Sequence, residues 1–476
     1  MRNLDVIIIG GGISGASALH WLAKGGADVV LFERGEAVGG VMGSHRNELG
    51  ALVESGPNSA QFNTPLLSEL IDDLDLGDRL VHPAAEAANR YILRDGRLMP
   101  VPTGPKAFFR SRLFSGAAKR RLLREPFIRA AVGEAEESIA QFVERRLGRE
   151  MLDYAINPFI SGVYAGRPER LSVRHAMPML HDLEREAGSL LRGGLKRMRA
   201  GRKARARGEA PERKGLFSFI EGMGELPGRI QERWGECIHT GVDVERIDRI
   251  GGSWHVVARG ERFVAPNLVI ATDAATAAGL IAEHETAAAA ALRSIEYPAL
   301  AVASVLYDRS MVTHPLDGFG MLVPEVERRC ILGTIFSSTL FPNRAPEGTV
   351  LLTAFMGGAR EPALALRSSE EIAYDVHAEL RRTLGICARP KSFDLRVWNR
   401  AIPQYNLGHG AIIEAIELAE ERLPGMHLLG NYRGGVSVGD CVKSGRALAD
   451  RLLRRSGARV AVATDAQAPD DLYEES

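Results

Sequence analysis

The residues best suited to chemistry stand near the start of the chain: Gly10, Gly11, Gly12, Ile13, Ser14 and Gly15, followed by Glu33. A GxGxxG pattern suits phosphate binding. Gly10 permits a sharp turn, Gly12 lets backbone approach a pyrophosphate, and Gly15 lets a helix pack closely on a strand. The first N–H groups of that helix then face the phosphates, and the Glu33 carboxylate can accept from ribose hydroxyls. An acidic residue at this position disfavours a 2′-phosphate, and so NADP. A second candidate lies far along the chain, where Gly435-Val436-Ser437-Val438-Gly439 matches the GxSxG nucleophile elbow after a strand-like His427-Leu-Leu-Gly430. Chain order decides against a hydrolase, because that fold needs its acid and then its histidine after the serine, and the last histidine here is His427. Val436 to Asp440 reads instead as the entry to a helix running to about Leu453. The positive end of such a helix can face a ring that becomes anionic on reduction.

The elements that must position these residues follow from the pattern around them. Val6-Ile7-Ile8-Ile9 is a continuous apolar run, as in a parallel strand buried on both faces, and Asp28 to Glu33 closes a βαβ unit after the small-residue helix Ala16 to Lys24. Gly39-Gly40 follows the acidic residue as a second glycine pair does in many flavoproteins, which favours FAD over NAD; Val41 stands where an arginine is common. Val269 to Thr272 is another short strand, after a hairpin around Trp254 to Val264, so the nucleotide-binding unit is expected from three separated pieces of chain. Thr64-Pro65 opens an amphipathic helix closed by Gly77, residues 134–148 form another, and Ser368-Ser-Glu-Glu371 is a capping box for a third. Residues 297–307, 317–323, 328–336 and 349–356 alternate apolar runs with Pro, Gly and charged turns, as strands of an antiparallel sheet do.

Composition bounds the rest. With 476 residues, 45% apolar and 25% charged, the chain has material for about three globular units. Sixty basic residues balance sixty acidic ones, so no overall field favours nucleic acid. Cys237, Cys330, Cys387 and Cys441 are too far apart in sequence for a metal motif and read as reduced thiols. The start of the chain has no signal-peptide pattern and no apolar run is long enough to span a bilayer, so a cytoplasmic address is expected. Residues 192–214 carry ten Lys or Arg with few large apolar residues and read as a solvated linker. Residues 105–127 interleave Phe108, Phe109, Phe114 and Phe127 with basic residues, a pattern suited to a membrane surface. The tail from Thr464 to Ser476 is acidic and expected to be disordered.

Several stretches together resemble the protoporphyrinogen oxidase family of FAD enzymes: Glu54-Ser-Gly-Pro-Asn-Ser59, Arg90 to Pro102, Glu137 to Phe142, Gly162-Val-Tyr-Ala-Gly166, Gly333 to Ser338, Ile402-Pro-Gln-Tyr405 with Gly408-His409, and Val436 to Asp440. The resemblance implies FAD contacts at Gly10, Gly11, Gly12, Ile13, Ser14, Gly15, Glu33, Arg34, Gly40, Val41, Gly56, Pro57, Asn58, Ser59, Val244, Trp398, Val436, Ser437 and Val438. It implies that Arg90 pairs with a carboxylate of a porphyrin-type ligand, that Leu322, Ile335 and Phe355 sandwich the tetrapyrrole, and that Asn58 lies near its centre. Without it, the three apolar residues read as core. Gly430-Asn431 departs from the Gly-Asp common in the wider flavoprotein group.

The fold expected is α/β, with a Rossmann-like FAD domain assembled from residues 1–88, 216–280 and 395–460, a helical membrane-type domain at 89–215 and an α+β substrate domain at 281–394. The activity implied is oxidation of protoporphyrinogen by three two-electron steps, with O2 as acceptor and hydrogen peroxide as product. Coproporphyrinogen is the alternative substrate, and an amine oxidase, a carotenoid desaturase or a non-catalytic porphyrin carrier are the competing classes. No protein group is assigned as proton acceptor. The partners expected are porphyrinogen and O2, without nucleic acid or metal. Peripheral contact with the inner face of a membrane, a homodimer and contact with the next enzyme of haem synthesis are further expectations.

Overall fold

Val6–Ile9 and Val29–Phe32 are apolar at every position and buried at every position, which requires cover on both faces of a sheet. In the computed structural model, which describes residues 2–131, 133, 135–206 and 213–456, they lie in a five-stranded parallel sheet. Its order is Ile238–His239, Val29–Phe32, Val6–Ile9, Asn267–Ile270, Met426–Leu428. Strands far apart in sequence are thus neighbours. Val6, Ile8, Leu31 and Val269 face the helices Ile13–Lys24 and Val438–Ser456. Ile7, Ile9, Val30 and Leu268 face the opposite layer, which contains Ala274–Ile281, Thr286–Arg293 and His409–Arg422. Because all five strands run parallel, the loops that follow them, including those at Gly10, Glu33 and residues 429–437, share one carboxyl edge, the usual ligand edge of such a sheet.

The second large sheet is mixed and has seven strands, in the order Ser392–Trp398, Leu300–Asp308, Thr349–Gly357, Ile331–Ile335, Gly318–Leu322, Asn89–Arg94, Arg97–Pro100. The four middle strands expected from the sequence are present and antiparallel to one another. Residues 89–100, grouped at the sequence level with the helical region, instead add two strands, the first of them parallel to Gly318–Leu322. One face of the sheet is sealed by the helix Ser369–Leu384. Its Ser368 cap and Glu371 form the expected capping box, and its Ile372, Val376, Leu380 and Leu384 pack on Ala301, Ala303, Met321 and Ala354.

Helices dominate residues 105–206, with two corrections to the sequence reading. The helix expected over 134–148 is Ile139–Arg146, because Ser138 and Gln141 close a capping box and start it late. The basic linker expected over 192–214 is, as far as Ala206, the helix Leu190–Ala206. Its start is capped by a carboxylate distant in sequence: Glu125 accepts from the Ser189 hydroxyl and from the Leu190 and Leu191 N–H groups. Glu125 also pairs with the buried Arg146 at 3.2 Å. A negative charge at a helix N-terminus supports a sequence whose composition alone reads as unfolded. Residues 207–212 and the acidic tail lie outside the described residues. Among the described residues no helix is long and apolar enough to cross a membrane, and no cluster of three His, Cys, Asp or Glu residues is arranged for a metal.

Candidate active site

The turn after Val6–Ile9 depends on Gly10, whose φ is +104° and whose Cβ, if present, would lie 2.7 Å from the Ala271 carbonyl oxygen. A side chain at Gly15 would collide with the Gly10 carbonyl. Around Gly12, in contrast, the space a Cβ would need is empty. The open side is therefore the one where a helix N-terminus offers its N–H groups, and Ile13 and Ser14 begin that helix as buried residues. The second glycine pair folds back onto this loop, with the Gly39 N–H donating to the Gly11 carbonyl at 2.7 Å and Gly40 beside Gly12. Val41 is exposed, and its backbone packs against Gly56. Gly56, Pro57, Asn58 and Ser59 are thereby brought beside the glycine loop.

Glu33 ends the second strand with its carboxylate turned inward, accepting from the Gly11 N–H at 2.7 Å and the Gly35 N–H at 2.6 Å. Arg34 beside it is exposed. The Glu33 carbonyl accepts from Val242, which leads the chain to Val244 past the same edge. The helices Ile13–Lys24 and Val438–Ser456 run side by side in the same direction, close enough that a side chain at Gly445 would collide with the Ser17 hydroxyl and one at Gly25 with Leu453. Two helix N-termini consequently meet at one edge, doubling the positive dipole end available to an anion. Ser437 caps the second helix. Its hydroxyl donates to Asp440 and accepts from the Asp440 N–H and from Asn63 Nδ2, so the apparent nucleophile elbow is a cap and not a triad serine.

The seven-stranded sheet supplies the other wall. Leu322, Gly333 and Phe355 lie abreast on three adjacent strands, and Gly320, Ile335 and Thr353 form the next row. Side chains alternate along a strand, so Leu322, Ile335 and Phe355 share the face opposite the sealing helix. All three are half-exposed, whereas Met321, Val323, Thr334, Ala354 and Met356 between and beside them are buried. Phe355 lies abreast of Val302, and Val302 of Arg396, whose guanidinium stands 4.4 Å from the Trp398 ring. Trp398 Nε1 donates to the Ser55 carbonyl at 2.7 Å, tying this sheet to the loop of Gly56 and Asn58. Ile92 lies abreast of Leu322, which puts Arg90 on the same face two residues along. Arg90 is exposed and borders a cavity of ≈ 380 Å³ with Gln61, Pro83, Ala85 and Leu216. Asn58 is buried, with its Nδ2 on the Gly56 carbonyl at 3.2 Å, and so is held by its own loop.

Other participants were given no role in the site from the sequence. The helix Asn157–Tyr164 faces the apolar row: a Cβ on Gly162 would lie 2.9 Å from Leu322 Cδ2, and Phe159, three residues earlier on the same side, is 45% exposed. The signal was present, since Phe159, Gly162 and Val163 fall at helical spacing, but nothing in the sequence said which face was open. Arg360 holds this helix to the sheet by donating to Asn157 Oδ1, Ser161 Oγ and the Val323 carbonyl. Beneath the Glu54–Ser59 loop, buried Glu54 accepts from the Ser44 hydroxyl and the Met223 N–H and pairs with buried Arg344 at 3.3 Å. Burial pushes the Glu54 carboxyl up to about 7, against the pull of Ser44 and Arg344.

The open space at Gly12, the paired helix N-termini and the inward Glu33 carboxylate fit the pyrophosphate and ribose of FAD. The family described as flavin containing amine oxidoreductase matches residues 11–453. Among curated proteins, protoporphyrinogen oxidase 2 of Arabidopsis thaliana is 32% identical over 94% of this chain and 93% of its own length. The Bos taurus protoporphyrinogen oxidase is 31% identical over 94% and 98%. A solved structure of a putative protoporphyrinogen oxidase from Exiguobacterium superposes with a TM-score of 0.80 at 23% identity, covering 95% of this chain and 99% of that one. At that identity the likeness concerns the fold.

Proposed function

We propose that this chain, which belongs to the flavin containing amine oxidoreductase family and within it to the protoporphyrinogen oxidases, oxidises protoporphyrinogen IX to protoporphyrin IX. The observation that carries the substrate reading is the half-exposed row of Leu322, Ile335 and Phe355 on the sheet face opposite Gly162, with Arg90 and Trp398 on that same face. A flat apolar macrocycle fits between such walls, and a carboxylate on its rim fits a guanidinium fork, which stays charged at any physiological pH.

Bound FAD supplies a two-electron acceptor that O2 restores with release of hydrogen peroxide, so three rounds remove the six electrons and six protons that separate porphyrinogen from porphyrin. The chain's own part is to bind and orient. Gly10 to Gly15 and the helix starting at Ile13 would hold the pyrophosphate, and Glu33 the ribose hydroxyls. The backbones at Gly40, Val41, Gly56 and Val244 and the loop from Val436 to Val438 would line the cofactor, with Trp398 near its ring. Leu322, Ile335, Phe355 and Phe159 would clamp the macrocycle and exclude water, and Arg90 would fix its rotation by one propionate.

Aerobic incubation of the yellow holoprotein with protoporphyrinogen, with coproporphyrinogen in a parallel arm, tests the reading. Porphyrin fluorescence should rise faster than autoxidation, and faster with protoporphyrinogen. No acceleration with either substrate would overturn it. Bleaching of the flavin by an amine or a polyene alone would favour the amine oxidase or desaturase class, which shares the same nucleotide loop.

The helical region supports a peripheral role at a lipid surface. Phe127 is 83% exposed, Phe109 and Leu123 are exposed, and the basic helix Leu190–Ala206 exposes Leu191, Leu195 and Met198 at helical spacing. Apolar side chains among lysines and arginines suit the boundary of an anionic bilayer.

A further inference from the structure

The segment from Ile402 to His409 has no role in the site described above, yet Tyr405 is almost completely buried beside it. Its hydroxyl donates to the Asn431 carbonyl at 2.6 Å and accepts from the Gly435 N–H at 3.0 Å. One side-chain oxygen therefore closes the loop between the strand Met426–Leu428 and the helix Val438–Ser456, clipping two backbone groups that neither element pairs. That loop is under constraint already. Gly435 has φ +124°, and a side chain on it would collide with Asp440. Immediately after Gly435 come Val436, which packs on the same apolar cluster as Tyr405 and Tyr164, and the capping Ser437.

The ring of Tyr405 is held as firmly as its hydroxyl. It stacks on His409 with centroids 4.3 Å apart and planes at 16°, stands 6.0 Å from Tyr164, and its carbonyl accepts from the Ser172 N–H at 2.8 Å. His409 is buried, and burial together with neighbouring His175 pushes it down to about 4, so the stacked ring is neutral at ordinary pH. Tyr405 thus joins the helical region, through Ser172, to the last loop on the ligand edge of the parallel sheet.

We infer that Tyr405 is a positioning residue for the cofactor, acting through the hydroxyl clip on residues 431–435 to set where Val436 to Val438 meet the flavin. The inference rests on the proposed FAD site and adds to it a residue that acts through the backbone of the loop it clips. Losing the hydroxyl leaves a carbonyl and an N–H unpaired in a half-buried place and frees the loop to shift.

The test is flavin titration of the apoprotein of Tyr405→Phe, read by fluorescence quenching, with visible circular dichroism and the midpoint potential of the bound flavin. The dissociation constant should rise about tenfold, the yield of one half-buried hydrogen-bond pair, and the dichroism and potential should change. Tyr164→Phe is the control: it removes a buried hydroxyl that donates to the Ala176 carbonyl at 2.9 Å, so it should lower Tm and leave flavin affinity and dichroism as in wild type. Wild-type affinity, dichroism and potential in Tyr405→Phe, at whatever Tm, would overturn the inference. If that variant does not fold, His409→Gln reads the same question, since it removes the ring that holds the Tyr405 ring in place and so loosens the hydroxyl clip. A rise in dissociation constant supports the inference, and no change overturns it. A wild-type apoprotein that takes up no FAD would instead overturn the cofactor reading itself.

Discussion

The Arg90 guanidinium lies 5.4 Å from the centre of the Phe319 ring. The ring steadies the cation without using its N–H donors, which remain free to point at an anion in the adjoining cavity. Arg90→Ala should therefore raise KM for protoporphyrinogen more than it lowers kcat, with kcat/KM falling roughly ten- to hundredfold, the range for one charge-assisted contact. Arg90→Lys should recover part of the loss, because it restores the charge and not the fork. Steady-state kinetics on the two variants checks this. A fall in kcat at unchanged KM would mean that Arg90 serves the chemical step instead of anchoring.

A second prediction concerns the buried pair of Glu54 and Arg344. Burial raises the Glu54 carboxyl from 4.5 to about 7 in the folded protein. The folded state then holds a proton that the unfolded state has released, so this contribution to stability is complete below about 4.5 and is lost as pH rises through about 7. Glu54→Gln cannot titrate. Subtracting its Tm from that of wild type across pH 5 to 8.5 should give a difference that falls with rising pH. A flat difference would show that Arg344 keeps the carboxylate charged throughout.

His20 supplies the opposite slope. Trp234 Nε1 donates to its Nδ1 at 3.1 Å, so the ring proton sits on Nε2, which faces Asp73 Oδ2 at 3.1 Å. Burial lowers the pKa of this ring below 6.5 in spite of Asp73. The unfolded chain takes up the proton first as pH falls, so the contribution is present above about 6.5 and lost below it. Protonation of Nδ1 would also end the Trp234 bond. His20→Asn should destabilise by roughly 1–3 kcal/mol at neutral pH, the usual cost of stranding buried partners. The loss should shrink toward pH 5 in thermal unfolding.

These relationships differ in how far the sequence exposes them. Gly10 to Gly15 and Glu33 are legible because a tight turn into a helix is local, and its glycines are demanded by contacts within one βαβ unit. The capping box at Ser368 is legible for the same reason, whereas the one at Ser138 starts its helix later than the apolar pattern over 134–148 suggests. Leu322, Ile335 and Phe355 have the composition of core, and only the register that sets Leu322 beside Gly333 and Phe355 reveals that they share an open face. That register passes through irregularities between Ile331 and Gly333 and between Gly318 and Met321. The strand Asn89–Arg94 finds its partner at Gly318–Leu322, and the helix Leu190–Ala206 finds its cap at Glu125. Neither distance has a signature in the local pattern, and composition at 192–206 points the wrong way.

The last prediction tests the lipid surface. Arg121 is engaged internally, since it donates to the Arg145 carbonyl, so reversing it would disturb the fold as well as the surface charge. Arg120 and Arg124 on the same helix, Gly116–Arg124, carry no such bond among the described residues. Arg120→Glu with Arg124→Glu should weaken co-sedimentation with phosphatidylserine-containing vesicles at low salt by about 1 kcal/mol for each basic charge removed, with the effect fading as salt screens it. Phe127→Ser should weaken binding at low and high salt alike, because its contribution is apolar. If the double reversal leaves vesicle binding unchanged while Phe127→Ser abolishes it, the surface works by insertion alone and the basic residues there serve solubility.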